Sequence, residues 1–262
     1  MIRHLTHGAI AASLALTLHA ENAVTTPPIA ATPMDADAIR ENATYALGYR
    51  AGAEFMQQYA QFGLTPEDLE RETFVKAFFK AMAAEEPDAD PMEMQAAMQG
   101  LGEMLQEREE GIAAENLAEG QEFLTENAER EGVITTDSGL QYKILEEGGD
   151  ETYEAPEGED APQKQFLVHY KGTTIDGEQF DASPEGEPVR MTMQVIDGFR
   201  EALMTMPVGA KWKLFIPSDL GYGERRQSPK IGPNSTLIFE LELVGIEDAP
   251  PQQQMPFQIP GQ

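Results

Sequence analysis

Val168-His-Tyr-Lys-Gly-Thr-Thr-Ile-Asp-Gly-Glu-Gln-Phe-Asp181 begins as a strand and passes into a turn. Phe166-Leu-Val-His-Tyr170 alternates as a half-buried antiparallel strand does, and Asp176-Gly177 is a turn signal. The same period of two recurs in Leu140-Gln-Tyr-Lys-Ile144, Lys211-Trp-Lys-Leu-Phe-Ile216 and Leu237-Ile-Phe-Glu-Leu-Glu-Leu243. The chain beyond Gly132 is therefore a β-rich domain with one short helical stretch, roughly Gly198 to Met204. Between the first two strands, Glu146 to Gln165 is dense in Glu, Asp, Gly and Pro and reads as a mobile acidic loop. The tail over 249–262, made largely of Pro, Gln and Met, reads as disordered.

Upstream the period changes to that of a helix. Ile39, Ala43, Leu47, Ala51 and Phe55 recur about one helical turn apart. Thr65-Pro66-Glu67-Asp68 has an N-cap residue followed by Pro, which predicts a second helix with Leu69, Phe74, Phe78 and Met82 available for burial, ending near Pro87. Asp90-Pro91 repeats the start signal, and no proline interrupts Met92 to Arg130. At about 1.5 Å per residue that segment makes a helix roughly 60 Å long, weakened by Gly100, Gly102, Gly111 and Gly120. So long a helix cannot bury its apolar stripe against two short ones, so it reaches between domains or pairs with another chain. Met92, Met94, Met98 and Met104 then read as core or partner surface rather than a metal site.

The first residues set the expected compartment. A weakly basic start runs into Gly8-Ala-Ile-Ala-Ala-Ser-Leu-Ala-Leu-Thr-Leu18 and small residues near Ala20, the order of a signal peptide over 1–20, with a flexible lead-in over 21–34. This predicts export to the periplasm, with outer-surface association as an alternative, and no membrane span. With no Cys and only His169 outside the signal region, Cys/His zinc sites and Ser-His-Asp or Cys-His catalysis lack their residues. We expect no metal and no other cofactor. The 46 acidic residues against 18 basic give a net charge of −28, which repels nucleic acid. That excess reads as a solvated surface, or as adaptation to a saline habitat.

The quoted stretch resembles the signature of the FKBP-type peptidyl-prolyl cis/trans isomerases. The likeness continues through Val195-Ile-Asp-Gly-Phe-Arg-Glu-Ala-Leu203, Met206-Pro-Val-Gly209, Ile216-Pro-Ser-Asp-Leu-Gly-Tyr-Gly223 and Ile231-Gly-Pro-Asn-Ser-Thr-Leu-Ile-Phe239. Glu122 to Asn127 and Ser138 to Tyr142 are similar to the domain junction of the Mip/FkpA-like periplasmic subgroup. The resemblance implies an α+β architecture with a helical dimerisation domain over 35–132, whose long helix links it to an FKBP domain over 138–248. That domain would be an antiparallel sheet wrapped around a short helix.

The resemblance also implies a site. Tyr170, Phe180, Asp181, Tyr222 and Phe239 match its catalytic positions, and Val195, Ile196, Phe199 and Ile231 its substrate-binding positions. Ile196 would offer its N–H, and Tyr222 its hydroxyl, to substrate carbonyls. Implied partners are proline-containing unfolded proteins, a second copy of the chain, and FK506- or rapamycin-like inhibitors. Two departures stand out: Phe199 occupies a position that is typically Trp in the family, and the block from Pro188 to Val195 is short, which leaves the role of Met191 open. Phe199 supports an alternative in which the chain is a periplasmic chaperone or binding module with weak isomerase turnover. His169 alternates away from Val168 and Tyr170 and is read as a surface residue.

Overall fold

The structure is a computed structural model that describes residues 35–156 and 163–249. The predicted signal peptide and lead-in lie outside those residues, as does the predicted tail beyond Ala249. The described residues divide into two compact units, one ending at Ala51 and the other starting at Gly52. Within the first, helix α1 (Ala36–Tyr59) begins where Asp35 accepts the Ala38 N–H at 2.8 Å, an N-terminal cap. Its side chains Ile39, Tyr45, Leu47 and Tyr49 are exposed.

The second unit holds everything after Ala51. The predicted helix start at Pro66 is corrected here. Thr65 and Asp68 form a reciprocal capping box, but it closes only a 3-10 turn over Pro66–Asp68, and Leu69 then turns extended. Glu70 caps afresh by accepting the Glu72 and Thr73 N–H groups, and α2 (Arg71–Met82) follows. Leu69 therefore precedes the helix instead of lying in it. α2 stops five residues before Pro87, with Ala84 in the left-handed region at φ 56°. Asp90 accepts the Met92 N–H and starts α3 (Pro91–Ala128), 38 residues long.

The β-rich half contains β1 (Val133–Thr135), β2 (Gln141–Glu146), β3 (Lys164–Thr173), β4 (Gln179–Ala182), β5 (Val189–Met191), β6 (Lys211–Ile216) and β7 (Leu237–Asp248). All pairings are antiparallel, in the order β1-β2-β6-β7-β3-β4, with β5 also on β3. β7 pairs with β3 from Lys164↔Asp248 to Thr173↔Ile238, and with β6 on its other edge. One short helix, α4 (Asp197–Thr205), packs on the inner face. Phe199, Ala202, Leu203 and Met206 recur at helical spacing and meet Val168, Leu214, Ile216, Leu241 and Leu243 in one core. Gly198 makes this approach possible: a Cβ there would fall 2.7 Å from the Ile216 side chain.

Two regions read as loop or linker are more firmly held than their composition implies. In the acidic segment, of which 157–162 lie outside the described residues, Gly149 N–H donates to Val208 O at 2.8 Å and Val208 N–H to Glu151 O at 2.7 Å. Tyr153 then lies against Phe166, ring centroids 5.5 Å apart. The long helix lies on the outer face of the sheet instead of leaving it. Phe123 meets Phe215 at 5.9 Å, and Gly120 sits so close to Thr236 that no side chain fits between them. At the end of α3, buried Asn127 donates to Gln141 Oε1 at 2.8 Å, while Gln141 Nε2 donates to Leu124 O at 2.8 Å.

That amide pair carries a prediction. Asn127→Ala leaves a buried Gln141 oxygen unsatisfied, so the chain should lose about 1–3 kcal/mol of stability in urea unfolding followed by circular dichroism. An unchanged midpoint and slope would show that the amide pair does not hold α3 to the sheet.

Candidate functional site

A cavity of about 540 Å³ opens between α4 and the inner face of the sheet. All nine residues singled out from the sequence line it: Tyr170 on β3, Phe180 and Asp181 on β4, Val195, Ile196 and Phe199 at the start of α4, Tyr222 and Ile231 on the β6–β7 connection, and Phe239 on β7. Met191, whose role was open, lines it too, as do Gln194, Gln227 and Ser228. The last three were not singled out. Gln227 and Ser228 fall in the polar, basic segment from Arg225 to Lys230, which the family resemblance places over the pocket without marking either residue. His169 does not line the cavity.

Four rings enclose the floor. Phe199 stands edge-on to Phe239 at 5.2 Å and to Tyr170 at 6.2 Å, and Phe180 stands edge-on to Phe239 at 5.5 Å. Such T-shaped contacts place positive ring edges on negative faces and hold each ring's orientation. Phe199, Ile231 and Phe239 are buried, whereas Tyr170, Phe180, Val195, Ile196 and Tyr222 are half-buried and Asp181 is exposed. The base is thus dry while the rim is open to water.

The polar groups sit at that rim. Tyr170 donates its hydroxyl to Asp181 Oδ2 at 2.7 Å, and Asp181 Oδ1 accepts the Ala182 N–H at 2.9 Å, so the carboxylate anchors the ring. Burial, followed by the Asp181 hydrogen bond and charge, pushes the Tyr170 phenol up to about 12. Burial, with the Asp181 charge second, also raises the Tyr222 phenol. Both hydroxyls therefore stay protonated near neutrality, Tyr170 keeping its bond to Asp181 and Tyr222 keeping a proton to donate. Tyr222 rides on a turn in which Gly223 N–H donates to Ser218 O at 2.9 Å and Asn234 N–H to Gly223 O at 2.7 Å. Among the described residues, neither the Tyr222 hydroxyl nor the Ile196 N–H has a hydrogen-bond partner. An apolar box with two aimed donors can bind a ring and hold the flanking peptide, and nothing in it is arranged as a nucleophile with its base.

Two family models match this chain. The domain amino terminal to FKBP-type peptidyl-prolyl isomerase covers residues 40–144, and FKBP-type peptidyl-prolyl cis-trans isomerase covers 158–244. The FKBP-type 22 kDa peptidyl-prolyl cis-trans isomerase of Escherichia coli (strain K12) is 39% identical over 217 residues, covering 80% of this chain and 97% of that protein. The FKBP-type peptidyl-prolyl cis-trans isomerase FkpA of the same organism is 33% identical over 260 residues, covering 94% and 92%. The crystal structure of FkpA from Escherichia coli superposes with a TM-score of 0.53 at 31% identity, covering 82% of this chain and 99% of that one.

The Tyr170–Asp181 geometry predicts an alkaline limb in stability. An unfolded tyrosine ionises near 10.0 and folded Tyr170 near 12, so between those values only the unfolded chain releases the proton. The contribution is whole below pH 10 and is lost as pH rises toward 12. Tyrosinate absorbance should show the Tyr170 and Tyr222 phenols titrating late, and Asp181→Ala should move the Tyr170 step part of the way back toward the ordinary value, since burial, the larger cause, remains. A titration identical in the two proteins would break the link.

Proposed function

Because the chain belongs to the FKBP-type peptidyl-prolyl cis-trans isomerases, we propose that the aromatic cavity is where it isomerises X–Pro bonds, on proline-containing segments of exported, incompletely folded proteins. The observation that carries this reading is the meeting of four rings with two unpartnered donors, Ile196 N–H and the Tyr222 hydroxyl, around one open-rimmed cavity.

Rotation about an X–Pro bond is opposed by amide resonance, a barrier of roughly 18–20 kcal/mol. A catalyst need only bind the twisted amide better than the planar one. The planar form carries more charge separation across C–N, so the dry ring-lined base disfavours it relative to the twisted form. Phe199 forms the floor under the prolyl ring, with Tyr170, Phe180 and Phe239 as walls. Val195 and Ile231 close the remaining apolar sides, while Asp181 fixes Tyr170. Ile196 N–H and Tyr222 hold carbonyls flanking the bond, which preorganises the peptide without a proton transfer. Rapamycin-like ligands would compete for the same walls and donors.

We further infer a homodimer formed through residues 35–132. Support comes from exposed Phe78, Phe79, Met82, Met92, Met98 and Met104, and from an apolar cavity of about 690 Å³ among Phe55, Phe62, Leu64, Phe74, Leu101 and Leu105. Periplasmic residence rests on the signal-like first 20 residues; among the described residues no helix is long and apolar enough to cross a membrane.

A weak-turnover chaperone stays in view because Phe199 is a smaller floor than the indole usual in the family. A protease-coupled assay on a short X-Pro peptide decides between the readings: turnover well above the uncatalysed rate supports the isomerase assignment, and none would leave only binding. Within that assay Tyr222→Phe removes one donor and should cost roughly severalfold in kcat/KM with the fold retained. Phe199→Trp should raise kcat/KM or tighten inhibitor binding by filling the floor. A drop in both, with unchanged circular dichroism, would mean that Tyr170 and Phe239 already pack tightly around Phe.

A further inference from the structure

The connection that forms one rim of the cavity is clasped by α3. Arg226 donates to Glu109 through Nε at 2.7 Å and Nη2 at 2.9 Å, a two-bond fork in which the side chains are only 12% and 20% exposed. The third nitrogen, Nη1, turns inward to the carbonyls of Ser228 and Pro229, at 3.2 and 3.4 Å. Those residues belong to a tight turn: Gln227 N–H donates to Ile231 O at 2.9 Å, and Ile231 N–H to Ser228 Oγ at 3.2 Å. Gln227, Ser228 and Ile231 all line the cavity. One guanidinium thus joins a carboxylate on a remote helix to the backbone of the rim.

Glu109 is itself held in place. A Cβ on Gly63 would lie 2.5 Å from its Oε1, so the Gly63 backbone walls one side of the carboxylate. The neighbouring Arg108 donates to Gly63 O at 2.5 Å and to both oxygens of Asp68, at 2.7 and 2.8 Å. Consecutive residues of α3 therefore grip different parts of the chain: Arg108 the turn after α1, Glu109 the rim of the cavity. Hydrogen bonds from Asn116 Nδ2 to Pro233 O at 2.7 Å and from Asn234 Nδ2 to Ala113 O at 3.2 Å extend the clasp along the same helix face.

We propose that Glu109 is a positioning residue for the isomerase site, holding the 226–231 rim in its substrate-binding shape through Arg226. This rests on the assignment of the cavity as the prolyl site. An exposed ion pair would contribute little, but this pair is bidentate and mostly shielded, and breaking it leaves a largely buried guanidinium without its carboxylate. Gln227, Ser228 and Ile231 of the rim line the cavity where the peptide would bind, whereas the ring floor, Ile196 and Tyr222 lie outside the turn. Loosening it should therefore weaken substrate and transition-state binding alike, raising KM while leaving kcat near its original value.

The test uses the whole chain and two readouts. Glu109→Ala should raise KM for a short X-Pro peptide by about three- to tenfold with kcat little changed, and Arg226→Met should match it. The double variant should be no worse than either single one, because both remove the same contact. Glu109→Gln, which keeps an acceptor oxygen, should fall between wild type and Ala. Amide hydrogen exchange at Gln227 and Ile231 should accelerate in Glu109→Ala without a matching change in the β7 core. If Glu109→Ala does not fold, Arg226→Met carries both readouts from the loop side. Unchanged KM and unchanged exchange would overturn the proposal, as would additive effects in the double variant. An inactive wild type would fail the site assignment, and the exchange experiment would still decide whether Glu109 orders the rim.

Discussion

At Gly172 the backbone of β3 passes directly beneath the rings of Phe180 and Phe239. A Cβ at that position would lie 2.5 Å from one ring and 2.8 Å from the other, so any side chain there would expel both walls. Gly172 faces Phe239 in the β3–β7 ladder and Asp181 in the β3–β4 ladder, so a single missing side chain sets the depth of the cavity between two strands. The edge-on contacts that orient Phe199 and Phe180 follow from this close approach. Tyr170, two residues earlier on the same strand, can then reach across to Asp181.

The sheet is used on both faces, which makes the long helix part of the catalytic half. Its inner face holds α4 and the cavity, while its outer face meets α3 through Phe123, Leu124 and Asn127. A half-buried strand of this kind would leave Phe215 and Gln141 in water if α3 swung free, so the apolar contact and the amide pair both favour the docked helix. The rigidity of α3 then places Arg108 and Glu109 where they can join the β6–β7 connection to the turn after α1.

The strong acid excess shapes this electrostatic design. With 18 basic residues among 46 acidic ones, most carboxylates have no cation to meet and are left to water. Several cations sit where segments distant in sequence join: Arg108 with Asp68, Arg226 with Glu109, Lys164 with Asp248, and Arg190 with Glu247. The shielded pair at Arg226 is little screened by salt, while the self-repulsion of the exposed carboxylates falls as ionic strength rises.

The alternation of apolar and polar residues in β2, β3, β6 and β7 is local information, and so is the helical spacing of Phe199, Ala202 and Leu203; both were legible in the amino-acid sequence. The family resemblance carried by the ordered blocks pointed to nine of the residues that line the cavity, which no local period would have marked as a site. Other features were illegible because their cause lies elsewhere in the chain. Thr65-Pro66 carries every sign of a helix start, yet Leu69 turns extended and Glu70 caps the helix anew. β4 and β5 are three or four residues long, too short to show a period, and become strands only because β3 offers them an edge. Glu109 and Arg226 stand 117 residues apart and look like ordinary surface charges. Only the docking of α3 on the sheet brings them within 2.7 Å, since a side-chain pair of that kind depends on where two backbones pass in space and leaves no pattern in either segment.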